Sequence, residues 1–505
     1  MIALENGLLI DGSGSQAVAG SVLVDADRIA AVGGIKTPED CQVIDCTGLA
    51  IAPAFIDLHS HSDLQVLEDR SEKVKQGVVT EVVGNCGFSP FPYKGDAREL
   101  REFGGGILGS GKDWGWANAS GYLDAIATSS TKVNALPLAG HGSLRIAVAG
   151  FRQDALTSSE RDRLGGLLED ALDAGCAGFS TGLMYAPGSA AGHDELAPLC
   201  GIVARKGKLY ATHMRSYSAG LLEAVREQLE LARASGCRLQ ISHLQAAGRK
   251  NWDLQRRALD EIEAAKAAGI DVEFDIYPYQ CGSTVLTQWL PQWALEGGLG
   301  TMLGRLRDEG ERTRIAEEMS QSCAQRWSDI TVSAVGTTGR AELVGKTIAE
   351  IAQERGSDPA KAILDLLLEE DGRVNVISFN QSEENLKELL THPLCSLISD
   401  GFYVNGRPHP RLHGTFPELL GAVVRDRLWM RLPEAVHKIT GKPAARLRLQ
   451  DRGLLRAGYR ADITVFDPVR VAGRATYEDP TLDPAGIVMV MRSGRPVWDS
   501  RASSE

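Results

Sequence analysis

Period-two alternation sets the first fifty residues apart from the long middle of the chain. "MIALENGLLI", "GSVLVDADRIAAVGG" and "CQVIDCTGLAIAP" read as short strands, punctuated by Gly and Asp as in "DGSG". The last sixty residues return to that style in "GYRADITVFDP" and "GIVMVMRSGRPVW". The two ends together predict one small β-sandwich domain, built from residues 1–52 and 446–505.

Residues 53–445 have a different rhythm. Apolar, strand-like runs ("GVVTEVVGN", "VNALPLAG", "AGFSTGL", "KLYATHM", "CRLQISHL", "DVEFDIYPY", "VNVISFN", "CSLISDG") are separated by helical segments. In "SSERDRLGGLLEDALDAG" and "SAGLLEAVREQLELARASG" apolar residues recur every three to four positions between a Ser start and a Gly stop. Repeated strand–helix units predict an α/β fold closed as a (β/α)8 TIM-like barrel, whose chemistry sits at the C-terminal strand ends. The stretch at about 286–370 exceeds what one crossover needs and reads as a helical insertion placed to act as a lid.

Composition narrows the function classes. The 505 residues carry a formal charge of -12, which argues against a nucleic-acid or anionic-membrane partner. The N-terminus has no basic, apolar leader pattern, and no apolar run reaches membrane-spanning length. Nine cysteines without regular spacing are no disulfide framework, so the expected location is cytoplasmic. Composition leaves the oligomeric state open.

Candidate chemistry begins at "FIDLHSHSD". His59 and His61 alternate along a strand end, so both side chains project to one face. Cys86 in "VVGNCGFSP", His213 in "YATHMRS", His243 in "QISHLQA" and Asp400 in "LISDGF" also come directly after apolar runs. In a barrel these six converge on one mouth. Thiolate, imidazole and carboxylate together suit Zn2+.

The chain resembles the amidohydrolase superfamily, and within it the N-acyl-D-amino-acid deacylases (D-aminoacylases). "APAFIDLHSHSD", "GNCGFSP", "LAGHGSLR", "GFSTGLMYAPG", "THMRS", "ISHLQA", "DIYPY", "SDG" and "HPRLHGTFPELLG" carry the resemblance over essentially the whole length. It implies a metal-dependent hydrolase acting on the linear amide of a small N-acyl amino acid. Cys86, His213 and His243 would make the tight zinc site; His59, His61 and Asp400 would make a weaker second one. The choice between one metal and two stays open. Asp400 matches the general base, Tyr185 the donor to the acyl oxygen, and Arg411 with Tyr279 the clamp on the substrate carboxylate. His409 and His413 would shape the loop that places Arg411, and His141 would be structural. Gln245 departs from the pattern, because many of these enzymes carry a lysine there.

Members of the resembled family that take an acidic side chain need a basic group after "YPY". This chain has Val285, Leu286, Trp289 and Leu290 there without Arg or Lys, so the resemblance implies an apolar D side chain. The alternative is that this stretch only anchors the insertion. Two rival readings stand beside deacylation: an amidohydrolase opening a cyclic amide or imide or cutting a peptide-like D-residue substrate, and a non-catalytic barrel scaffold.

Overall fold

The computed structural model describes residues 1–501 apart from 94–96, 110–113 and 337. Its centre is a ring of parallel strands: β1 (Phe55–Asp57), β2 (Val78–Val83), β3 (Asn134–Gly140), β4 (Gly178–Gly182), β5 (Leu209–His213), β6 (Arg238–Ile241), β7 (Val272–Ile276) and β8 (Cys395–Leu397), hydrogen-bonded in that order. Beyond the last strand, Asp400 N–H donates to the His59 carbonyl (2.8 Å) and His61 N–H to that of Gly401 (2.9 Å), joining the β8 and β1 ends. Every residue of β2 is buried, because a parallel strand in such a ring is covered on both faces.

The helices between the strands begin and end as their sequences dictate. Ser158–Ala174 starts at a capping box in which Thr157 and Glu160 satisfy each other's backbone N–H, and it stops at Gly175. Leu221–Ser235 stops at Gly236, whose φ of 70° is the left-handed turn that glycine adopts without a steric cost. These helices turn Leu164, Leu168, Leu222 and Val225 inward onto the strands.

One predicted barrel strand lies elsewhere. Val374–Phe379, in "VNVISFN", pairs antiparallel with Cys281–Val285 and Ile330–Val335 in a separate three-stranded sheet. This sheet and the helices around it bury their own core, including Leu303, Ile315, Ile363 and Leu367. A run of alternating apolar residues has the same appearance in either sheet; only partner geometry separates the two. Strands therefore flank the inserted segment at Cys281–Val285 and Val374–Phe379, and Ile330–Val335 lies inside 286–370, where the pattern predicts helix alone.

Both chain ends join in one eight-stranded mixed sheet. Ala50–Pro53 is its seam, parallel to Ile2–Leu9 and antiparallel to Ile463–Phe466. Leu4, Val22, Ile51, Ile463 and Met491 fill its core. No helix among the described residues is long and apolar enough to cross a membrane.

Candidate metal centre

The six metal-capable residues do meet. His59 and His61 leave the end of β1, Cys86 comes after β2, His213 closes β5, His243 comes after β6 and Asp400 after β8. All six are buried. Cys86 Sγ lies 3.4 Å from His59 Nε2 and 3.5 Å from His243 Nε2, and His213 Nδ1 is 3.1 Å from His243 Nε2. Asp400 Oδ1 is 3.3 Å from His59 Nε2 and 3.2 Å from His61 Nε2.

Three of these residues hold their positions at a cost in backbone strain: φ is 54° at Cys86, 35° at His243 and 48° at Asp400. A side chain with a Cβ adopts such values rarely, and they concentrate where surrounding structure forces a functional geometry. Gly182 in β4 shows one source of that force. A Cβ there would collide with the Cys86 carbonyl, so only glycine lets the strand pass so close.

Burial governs the electrostatics. It pushes His213 down to about 3 and holds His243 well below and His61 below the ordinary histidine value. These imidazoles are therefore neutral at neutral pH, the form that ligates metal. Burial also opposes charge on His59, but Cys86, Asp400 and Asp275 around it lift its pKa well above the usual value. Burial raises the Cys86 thiol against the pull of His59. For Asp400, burial is outweighed by Arg411 and His59, which keep the carboxylate ionised well below its ordinary range.

Asp275 and Asp57 are the residues that sequence reasoning missed. Asp275 accepts the His243 backbone N–H (2.7 Å) and the Gln240 amide (2.8 Å), which fixes the main chain at His243, and its carboxylate lies 3.6 Å from His59 Nδ1. Asp57 accepts from Lys73 Nζ (2.7 Å) and the Ser399 backbone N–H (2.9 Å), pinning the residue before Asp400. Both sit in barrel strands at the same end as the histidines, so strand-end position was the available signal.

The cluster opens into a cavity of about 650 Å³, an ordinary size for a small-molecule site. Tyr185, Gln245, Trp289 and Arg411 line it with His61, Cys86, His213, His243 and Asp400. Arg411 Nη1 is 2.9 Å from Asp400 Oδ2, and its guanidinium lies 4.6 Å over the Tyr277 ring. His409 Nδ1 accepts the Arg411 backbone N–H at 3.0 Å, which fixes the loop as the "HPR" order suggests. Tyr279 is a correction: it packs on His409, with ring centroids 5.2 Å apart, and does not line the cavity. Tyr277 lines the cavity instead. β7 ends at Ile276, so strand alternation does not carry through Pro278. His141 Nε2 is 2.8 Å from Glu195 Oε1, and Arg145 pairs with the other oxygen, Oε2, in a buried polar cluster outside the cavity.

The donors fit a zinc ion. Tetrahedral Zn–N and Zn–S bonds hold neighbouring ligand atoms about 3.3–3.6 Å apart, close to the separations across Cys86, His213 and His243. Each of three trios (Cys86, His213 and His243; His59, His61 and Cys86; His59, His243 and Asp400) keeps its ligand atoms within 4.8 Å of one another.

A buried His, Cys and Asp cluster at the mouth of a (β/α)8 ring defines a metal-centred hydrolase class, and comparison with known proteins agrees. The amidohydrolase family model matches residues 42–498, and the chain belongs to that family. It is similar to N-acyl-D-aspartate deacylase of Alcaligenes xylosoxydans xylosoxydans, with 36% identity covering 97% of this chain and 90% of the relative. D-aminoacylase of the same organism is 35% identical, covering 99% and 95%. Among solved structures, N-acyl-D-glutamate deacylase from Bordetella bronchiseptica superposes with a TM-score of 0.85 at 33% identity, covering 99% of this chain and 96% of that one. That crystal structure contains zinc and a phosphonate inhibitor that mimics the reaction's tetrahedral intermediate.

Proposed function

We propose that the protein is a zinc-dependent hydrolase of N-acyl-D-amino acids, releasing a carboxylate and the free D-amino acid. The observation that carries this reading is Asp400, held between His59 and His61 on one side and Arg411 on the other in a cavity lined by the Cys86, His213 and His243 donors. Cys86, His213 and His243 would hold the tighter zinc, and His59, His61 and Asp400 a second. Bound zinc supplies a Lewis acid that polarises the amide and eases deprotonation of water.

The chain's own residues do the rest. Asp400 Oδ1 takes the proton of the attacking water and returns it to the leaving nitrogen. The Tyr185 phenol, kept protonated because burial raises its pKa, donates to the acyl oxygen as that atom becomes negative. The Arg411 fork faces the substrate carboxylate. Gln245, whose amide N–H lies 3.4 Å from the Tyr277 hydroxyl, adds a neutral partner.

An apolar D side chain is favoured by the Met184, Trp289, Leu290 and Phe402 walls. Arg215, a second cation on the lining, already holds Glu227 at 2.8 Å and the Ser189 and Ala191 carbonyls. The barrel at 53–445, with its insertion, would form one domain and the joined ends the other. Nine unpaired cysteines and an acidic surface favour a cytoplasmic protein that binds small molecules.

The test is chirally resolved hydrolysis of N-acetyl-D- and N-acetyl-L-leucine, methionine and glutamate, with zinc-loaded and chelator-treated protein. The expected result is zinc-dependent cleavage of the D-leucine and D-methionine derivatives. Cleavage of the L series instead would sink the reading. Inactivity on all six with zinc bound would favour the cyclic or peptide-like amides that uncharged Gln245 suggests.

A further inference from the structure

A second and larger cavity, of about 1380 Å³, adjoins the first. The two share Phe88, Ile107, Met184, Tyr185 and Gln288 as walls, so the second begins where the first places Tyr185. Beyond that boundary Phe103, Val285, Leu295, Leu299 and Met302 form an apolar part of its lining, and charged residues, Arg98, Arg101, Glu102, Arg373 and Arg407 among them, also line it. Phe103 stacks on Phe88 with centroids 4.6 Å apart, which gives the passage an aromatic side. The amino-acid half of the proposed substrate does not need this space, because Arg411 lines the first cavity alone.

We propose that this cavity receives the acyl chain, and that the preferred substrates are N-acyl-D-amino acids with medium to long aliphatic acyl groups. The inference rests on the deacylase reading and on connectivity. The acyl carbon bears three substituents: the oxygen facing Tyr185, the nitrogen leading towards Arg411, and the chain. With the first two directed into the first cavity, the chain leaves past Tyr185 and Phe88 onto the apolar part of the second, at Phe103, Val285, Leu295, Leu299 and Met302. An acetyl group would leave nearly all of it unused. Each methylene moved from water onto such walls strengthens binding about three- to fourfold.

The experiment compares N-acetyl-, N-butanoyl-, N-hexanoyl-, N-octanoyl- and N-decanoyl-D-methionine in two readouts. These are the calorimetric Kd for metal-free protein and kcat/KM for zinc-loaded protein. Leu299→Trp and Leu295→Trp, which fill the second cavity at half-buried positions, serve as two independent blocking variants. The expected result is a Kd that tightens about threefold per methylene up to a length limit. Both variants should shorten that limit while binding the acetyl compound as the wild type does. A Kd flat across the series overturns the proposal, and so does tightening that neither variant alters. Tightening without hydrolysis of any member, by protein with zinc bound, leaves the acyl site standing and removes the deacylase reading instead.

Discussion

Two histidine clusters sit at the same end of one barrel and differ in what their rings face. His141, after β3, points Nε2 at Glu195, a carboxylate that Arg145 also grips. His213 and His243, after β5 and β6, point ring nitrogens at each other, 3.1 Å apart, beside the Cys86 thiol. In the first cluster one carboxylate meets both His141 Nε2 and Arg145 Nη1. In the second, His243 Nε2 lies close to both His213 Nδ1 and Cys86 Sγ, and three lone-pair donors converging in this way suit a cation. The surroundings differ as well. Strained φ values fall at Cys86 and His243, whereas none of the left-handed residues belongs to the His141 cluster. A histidine at a barrel strand end is thus a ligand candidate only when its partners are other ligands.

The comparison can be broken first at the carboxylates. Asp400→Asn keeps the side-chain size but removes the proton acceptor, and kcat should fall by about 10²–10⁴-fold, measured on the best D-substrate. Glu195→Gln should act on stability instead. It leaves Arg145 buried without its counter-charge, costing about 3–5 kcal/mol in denaturant unfolding, with zinc content unchanged.

That pair also sets a pH dependence. Burial alone would raise the Glu195 pKa, but His141 and Arg145 outweigh it and hold the carboxylate below its ordinary 4.5. A depressed carboxyl contributes stability above its unfolded pKa and loses it as pH falls through the folded one. Wild-type stability should therefore drop more steeply below about pH 4.5 than that of Glu195→Gln, as denaturant midpoints across about pH 3–6 would register. The smallest effect expected is at Gln245. Gln245→Lys should lower KM for an N-acyl-D-amino acid about fivefold by adding a cation near the carboxylate, with kcat little changed.

Much of this was legible in the chain. His59, His61, Cys86, His213, His243 and Asp400 each come after an apolar run, and strand-end position in a parallel barrel brings such residues together whatever their separation in sequence. The joined ends were equally visible, because turn-rich alternation differs from strand–helix alternation. Legibility failed where tertiary pairing decides. Val374–Phe379 has a strand pattern that suits a barrel or an inserted sheet alike, and Tyr279 lost its expected place because the chain turns at Pro278. Asp275 went unread as the residue that fixes the main chain at His243 and faces His59, since a single acidic residue in an apolar run gives no hint of which neighbour it will hold.

The most direct test of the central distinction is the zinc bound per chain in wild-type, His213→Ala and His141→Ala proteins after reconstitution and desalting. Wild type and His141→Ala should retain the metal, and His213→Ala should lose its tightly bound ion. Equal retention in both variants, or wild-type protein that binds no zinc, would contradict the account.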